Sequence, residues 1–204
     1  MRVLVDGVDL TGKTTLVRSL VAELQARGFA ADRNVGPLRK GALARAAQAR
    51  YRAACDPGDA TQTWLFVAAA LADLAAPRCH PGILVQEAWV EHTIALARAL
   101  GRPVAAAVVL AIEALLPRFD AAILLVADET TRRRRLAARA EADALDRLLV
   151  EAPEASAELE RTLNGLLLRR PNVLVLDSAR LAPEEMVRRA VEHVLAAREV
   201  ADAA

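Results

Sequence analysis

Arg2-Val3-Leu4-Val5 runs into Gly7-Val8-Asp9-Leu10-Thr11-Gly12-Lys13-Thr14, after which Leu16, Leu20, Val21 and Leu24 recur at helical spacing until Gly28. An apolar strand, a glycine loop and an amphipathic helix in that order match the phosphate-loop pattern: glycine, four residues, Gly-Lys-Thr. Glycines let the backbone curl so that successive N–H groups point at phosphate oxygens. The helix adds its positive end. Gly7, Thr11, Gly12, Lys13, Thr14 and Thr15 are therefore the candidate contacts to ATP or GTP. In such loops the lysine reaches the β- and γ-phosphates and the threonine hydroxyl ligates Mg²⁺. Asp9 stands out, since a carboxylate among phosphate-binding amides is electrostatically unfavourable. It either faces a second ligand, such as an acceptor hydroxyl, or caps the loop through backbone N–H groups.

The rest of the chain alternates strands with helices. Residues 29–33, 83–87, 121–126 and 173–176 read as further strands, and the unbroken apolar character of 121–126 implies burial on both faces. Helical patterns cover 61–75, 90–100, 103–116, 130–149, 153–168 and a last segment with Val187, Val191, Val194 and Leu195. Pro37 opens an alanine-rich helical region closing near Asp56-Pro57-Gly58-Asp59. The expected architecture is α/β: a P-loop NTPase fold with a five-stranded parallel sheet, helices on both faces and a helical lid. One domain spans 1–204, with the lid at about 132–150. Ligands of such sheets bind at the C-terminal strand ends, where Arg33, Glu87 and Asp128 fall with the glycine loop.

Composition excludes several partners. A net charge of +1 leaves no nucleic-acid footprint and no polybasic membrane tail. The most apolar stretch, 104–126, is broken by Glu113, Pro117, Arg118 and Asp120, so no membrane span is expected. Cys55 and Cys79 have no metal-ligand spacing, and no signal peptide precedes the first strand, which together read as a reduced, cytoplasmic protein. Aromatic residues are only 3%, so the grouping of Trp64, Phe66, Trp89 and His92 around the expected acceptor region draws notice. Each also has a structural reading, the tryptophans as packing anchors and His92 as a satisfied partial-core ring.

The segment VDGVDLTGKTT resembles the thymidylate kinase family, and the resemblance extends in order over most of the chain. Arg33-Asn34-Val35-Gly36 is similar to that family's Arg-Glu-Pro-Gly segment, and Leu65-Phe66-Val67-Ala68-Ala69-Ala70 to its Leu-Phe-Ala-Ala-Asp-Arg segment. Glu87-Ala88-Trp89-Val90-Glu91-His92-Thr93 resembles Asp-Arg-Tyr-x-x-Ser-Thr, and Leu145-Asp146-Arg147 the end of the lid. Leu176-Asp177-Ser178 resembles the last-strand loop near adenine. The resemblance implies that Asp9 holds a sugar hydroxyl, Arg33 an acceptor phosphate, and Phe66 stacks on a base. It implies that Glu87 serves the magnesium and the transfer. It also implies a homodimer, for which the apolar 104–110 run is suited, as it would equally be for the core.

The departures carry as much weight. Ala88 replaces an arginine that contacts the acceptor phosphate, Ala70 one that reads the thymine edge, and Leu96-Ala97 stand where Tyr-Gln is common. An arginine supporting transfer is worth roughly 10³–10⁵ in rate. The expected chemistry is thus ATP- and Mg²⁺-dependent transfer of the γ-phosphate to a hydroxyl of a small acceptor other than dTMP: a nucleoside, sugar-like or secondary-metabolite alcohol. A nucleoside monophosphate kinase with altered base preference, and an ATP-binding protein with impaired catalysis, are the alternatives. Lys13, Glu87 and Asp9 are the expected catalytic groups, with Glu87 as general base or magnesium ligand beside Thr14. Arg33, Phe66, Trp89 and His92 are expected to meet the acceptor. Arg135 of the lid and Ser178 of the last-strand loop are assigned to the nucleotide, and Arg139 and Arg147 of the lid to the transferring group. Arg132 to Arg135 cannot all face one way on a helix, so the others form a solvated face with Glu129, Glu141 or Asp143.

Overall fold

The computed structural model describes residues 1–52, 60–77, 80–139 and 144–202; Cys55, Cys79, Asp56 to Asp59, Glu141 and Asp143 lie outside them. Five parallel strands, β1 (Arg2–Gly7), β2 (Ala31–Val35), β3 (Ile83–Glu87), β4 (Ala121–Val126) and β5 (Val173–Asp177), form one sheet in the order β2-β3-β1-β4-β5. Among the described residues no helix is long and apolar enough to cross a membrane.

Side-chain alternation along β1 divides the molecule in two. Val3 and Val5 pack with Leu16, Leu20 and Leu24 of α1 (Lys13–Ala26) and with Ala190, Val191 and Val194 of α9 (Pro183–Asp202). Leu4 points to the other face, covered by α4 (Val90–Ala99), α5 (Pro103–Ile112) and α8 (Pro153–Leu167). A short 3₁₀ turn, Glu113–Leu115, follows α5. Order reversal around β1, which pairs β3 on one side and β4 on the other, opens a crevice at the C-terminal edge.

Several boundaries differ from the sequence expectation. β2 starts at Ala31, because Phe29 packs on the α1/α9 core beneath the Arg198 guanidinium, 5.0 Å from its ring centre. Pro37 sits in a loop, and α2 (Ala42–Arg52) begins later; α3 (Thr61–Asp73) follows. The helix expected over 130–149 is two: α6 (Glu129–Ala137), whose start is capped by Asp128 accepting from the Thr131 N–H at 2.7 Å, and α7 (Ala144–Glu151). Asp128 is therefore a helix cap.

Candidate active site at the strand ends

The loop from Gly7 to Lys13 is shaped by close backbone approach. A β-carbon at Gly7 would collide with the Leu125 carbonyl of β4, and Gly12 adopts φ +97°. Leu10 is also left-handed, at φ 68°, where an L side chain is strained by about 1–2 kcal/mol. Thr11 is fully buried and donates its hydroxyl to Val8 O at 2.8 Å. The Lys13 ammonium is held at the loop mouth, 2.6 Å from Gly7 O and 2.9 Å from Asp9 Oδ1.

Register explains the group beside it. Arg33 pairs with Val85 and Val35 with Glu87 across β2 and β3, so Arg33 and Glu87 share the α1 face as diagonal neighbours. The Arg33 guanidinium donates to Glu87 Oε2 through Nη2 at 2.6 Å and Nε at 3.1 Å. Glu87 Oε1 accepts from the Thr14 hydroxyl. Both oxygens of Glu87 are thus engaged, one by Thr14 and one by Arg33. A carboxylate and a threonine hydroxyl side by side at the loop mouth form a hard oxygen pair of the kind Mg²⁺ selects.

Asp6 lies on the opposite face of β1, with Leu4, and meets α4. It is fully buried, accepts from the Gly7 N–H at 2.8 Å, and lies 3.0 Å from His92 Nδ1 through the same Oδ1. His92 Nε2 lies 3.8 Å from Asp9 Oδ2. Burial works against the Asp9 carboxylate, but Lys13, then His92, and Arg139 outweigh it and hold its pKa at about 2. Burial likewise opposes the Lys13 and His92 cations; Asp9 and Asp6 for Lys13, and chiefly Asp6 for His92, reverse the effect and raise both above their ordinary values.

A single cavity of about 990 Å³ runs from Lys13, Thr14 and Thr15 past Arg33, Glu87 and His92 to an apolar end bordered by Phe66, Ala70, Leu96 and Ala97. That volume is ample for two small ligands side by side. Trp89 borders it but is an anchor rather than a clamp. It is 4% exposed, donates its indole N–H to Asp73 Oδ2 at 3.0 Å, and meets Phe119 edge-on at 4.9 Å. Trp64 is 45% exposed and lies outside this cavity. Ala88 borders it with φ 51°, a left-handed residue directly after Glu87.

From α6, Arg135 donates to Leu10 O at 2.8 Å, to Ser178 Oγ at 3.0 Å and to Ser178 O at 2.8 Å. Ser178 is buried against Arg135 and Val126 and does not border the cavity. Arg139 borders it, paired with the buried Asp146 of α7. Arg147 is exposed and away from the cavity. Of the remaining arginines, Arg132 is buried on Ser156 and Glu160, and Arg133 pairs with Glu129.

No protein-family model and no curated sequence matches the chain. A thymidylate kinase from Candida albicans, whose structure is described as revealing the origin of broad substrate specificity, superposes with a TM-score of 0.68. The match covers 97% of this chain and 92% of that one, at 12% identity. The two share a fold. Within this thymidylate kinase fold the side chains, not the likeness, decide chemistry. Three polar groups escaped the sequence reading. Asp6 is the first. The second is the buried pair Asn34–Gln86, directly opposed in register and bonded at 2.6 Å, which ties the ends of β2 and β3. The third is Asp73, which accepts from the Leu38 and Arg39 N–H groups, both at 2.8 Å, as well as from Trp89.

Proposed function

We propose that the protein is an ATP-dependent phosphotransferase that moves a γ-phosphate to a hydroxyl of a small acceptor other than dTMP. The observation that carries this reading is the continuity of one cavity from Lys13 and Thr14, past Asp9 and His92, to the apolar end at Phe66 and Leu96. The triphosphate lies on the glycine loop, where the clash at Gly7 leaves room only for backbone, and Lys13 turns from Asp9 to the phosphates. Thr14 and Glu87 are the residues that would hold Mg²⁺, which when bound neutralises charge on the β- and γ-phosphates. Arg135 keeps Leu10 and the loop in shape, and Arg139 at the rim supplies positive charge. Helices α6 and α7 serve as the lid.

Ala70, Leu96 and Ala97 offer a base no polar edge contacts, although Gln62 and Thr63 of α3 border the same cavity, and Ala88 offers an acceptor phosphate none. A neutral hydroxyl compound with an apolar or ring-shaped body fits. A second reading, a nucleoside monophosphate kinase, draws support from Arg33 and Lys40, which border the same cavity. Arg33, however, is already bidentate on Glu87. A homodimer through α3 and α5 is supported by the exposed Leu71, Leu74, Val104 and Leu110.

ADP release from Mg-ATP, measured against dTMP, other nucleoside monophosphates, nucleosides and sugar or cyclitol alcohols, tests the reading, with Lys13→Ala as background. Turnover with an uncharged alcohol or nucleoside is expected. Strong turnover with dTMP would replace this reading by the second. Silence with every acceptor beside tight ATP binding would leave a non-catalytic nucleotide-binding protein.

A further inference from the structure

Transfer to a neutral hydroxyl releases one proton. Of the carboxylates and the imidazole that border the cavity, Asp73 is engaged by the Leu38, Arg39 and Trp89 N–H groups and Asp146 by Arg139, which leaves Glu87, Asp9 and His92 to take it. Glu87 has both oxygens occupied, by Thr14 and by Arg33. Asp9, held at about 2, is a weak base at neutral pH. His92 is different. Its Nδ1 lies 3.0 Å from Asp6 Oδ1, an oxygen that already accepts from the Gly7 N–H, so Nδ1 carries the proton in the neutral ring. The lone pair is then on Nε2. That atom is 3.8 Å from Asp9 Oδ2, beyond hydrogen-bond reach, and Asp9 Oδ2 is buried with no hydrogen-bond partner among the described residues. The imidazolium that forms when Nε2 gains a proton is flanked by Asp6 on one side and Asp9 on the other.

We propose that His92 is the general base of the transfer and Asp6 its positioning residue, with Nε2 taking the proton of the acceptor hydroxyl. This rests on the kinase reading above. The acceptor oxygen forms its bond to the γ-phosphorus while the bond from that phosphorus to the β,γ-bridging oxygen breaks. ADP leaves with the bond's electron pair, and the hydroxyl proton passes to Nε2 and later to water. The charged groups around the ring are Asp6 of β1, Asp9 of the loop, Lys13 of α1 and Arg139 acting through Asp9. Glu91, the residue before His92 on α4, is paired with Arg170; burial, with Asp6 adding to it, pushes its carboxyl up to about 7. Protonation of the ring is favoured by the carboxylates, so the active, neutral form is populated as pH rises through a value above the ordinary histidine one.

The test compares pH profiles of kcat for the wild type, His92→Gln and Asp6→Asn with the acceptor that turns over best. His92→Gln is expected to lower kcat on the order of 10²–10⁴-fold, to leave KM for ATP unchanged and to lose the rising limb. Asp6→Asn is expected to lower kcat and move the limb to lower pH. His92→Gly should regain activity with added imidazole, a readout that a merely structural ring would not give. ¹⁵N NMR of the wild-type histidines should show the Nδ1–H tautomer for His92, and the opposite tautomer would overturn the proposal even if a variant does not fold. Active wild type with an equally active His92→Gln, or with an unchanged limb and no imidazole rescue, overturns it while the kinase reading stands. A wild type silent with every acceptor overturns both.

Discussion

Asp73 holds together three segments that otherwise share little. It sits fully buried at the end of α3, with the Leu38 and Arg39 amides at 2.8 Å and the Trp89 indole at 3.0 Å. Hydrogen bonds to a charged acceptor contribute about 1.5–3 kcal/mol each, before the desolvation of the carboxylate is subtracted. Asp73→Ala removes the acceptor and strands three neutral donors; at about 1–3 kcal/mol per unsatisfied group, and with water reaching some of them, the loss is roughly 3–5 kcal/mol. For a chain near 200 residues each kcal/mol moves Tm by about 2–4 °C, so a fall of roughly 6–20 °C is expected. Urea denaturation followed by tryptophan fluorescence measures it, with Trp89→Phe as the control that removes a single donor and loses about 1–2 kcal/mol. Because Lys40 follows the two tethered amides and borders the cavity, KM for the acceptor should rise in the same variant. A loss under about 1 kcal/mol in Asp73→Ala would refute the idea that this carboxylate organises the acceptor end.

Other expectations follow from the same geometry. The Asp9 carboxyl, held at about 2, contributes stability that is present above its unfolded value of 3.8 and lost as pH falls toward 2. Asp9→Asn should thus be less stable than wild type by about 2 kcal/mol at pH 6, with the gap closing in denaturation at pH 2.5. Gly7→Ala should displace the loop from β4 and abolish ATP binding by calorimetry, because the Leu125 carbonyl has no room to retreat within the sheet. Arg135→Ala, which frees Leu10 O and Ser178, should raise KM for ATP about tenfold, near 1.4 kcal/mol, in steady-state assays. Trp64→Ala should leave turnover unchanged, since that ring lies outside the cavity.

The fold was legible because four of its strands carry apolar runs and its helices are punctuated: the ends of β3 and β4 fall where Glu87 and Val126 predicted, whereas the edge strand β2 is mostly polar. Phe29 misled because an aromatic ring reads as strand, although here it fills a gap between α1 and α9. The glycine loop was legible from spacing alone. Asp6 falls just after the apolar Arg2–Val5 run and gave no signal there, yet β1 continues through it and parity with Leu4 sends it to α4, where His92 waits. Asp73 gave no signal, since one carboxylate at the end of an apolar helix reads as a solvated cap. The tryptophans were read for rarity, and burial separates them: Trp89 inside on Asp73, Trp64 outside.

The central position of β1 also bears on how the chain folds. Val3 pairs with Val85 on one side and Ala121 on the other, so the strand that leads into the glycine loop has no partner close in sequence. Loop closure over such separations makes pairing slow, and the apolar β1 stays uncovered until β3 and β4 arrive. Gly7 takes its place only once the Leu125 carbonyl lies beside it. On the proposed kinase reading, a nucleotide finds its loop only once β1, β3 and β4 are paired, so ATP is expected to slow unfolding more than it hastens refolding, as stopped-flow denaturant jumps with and without ATP would measure.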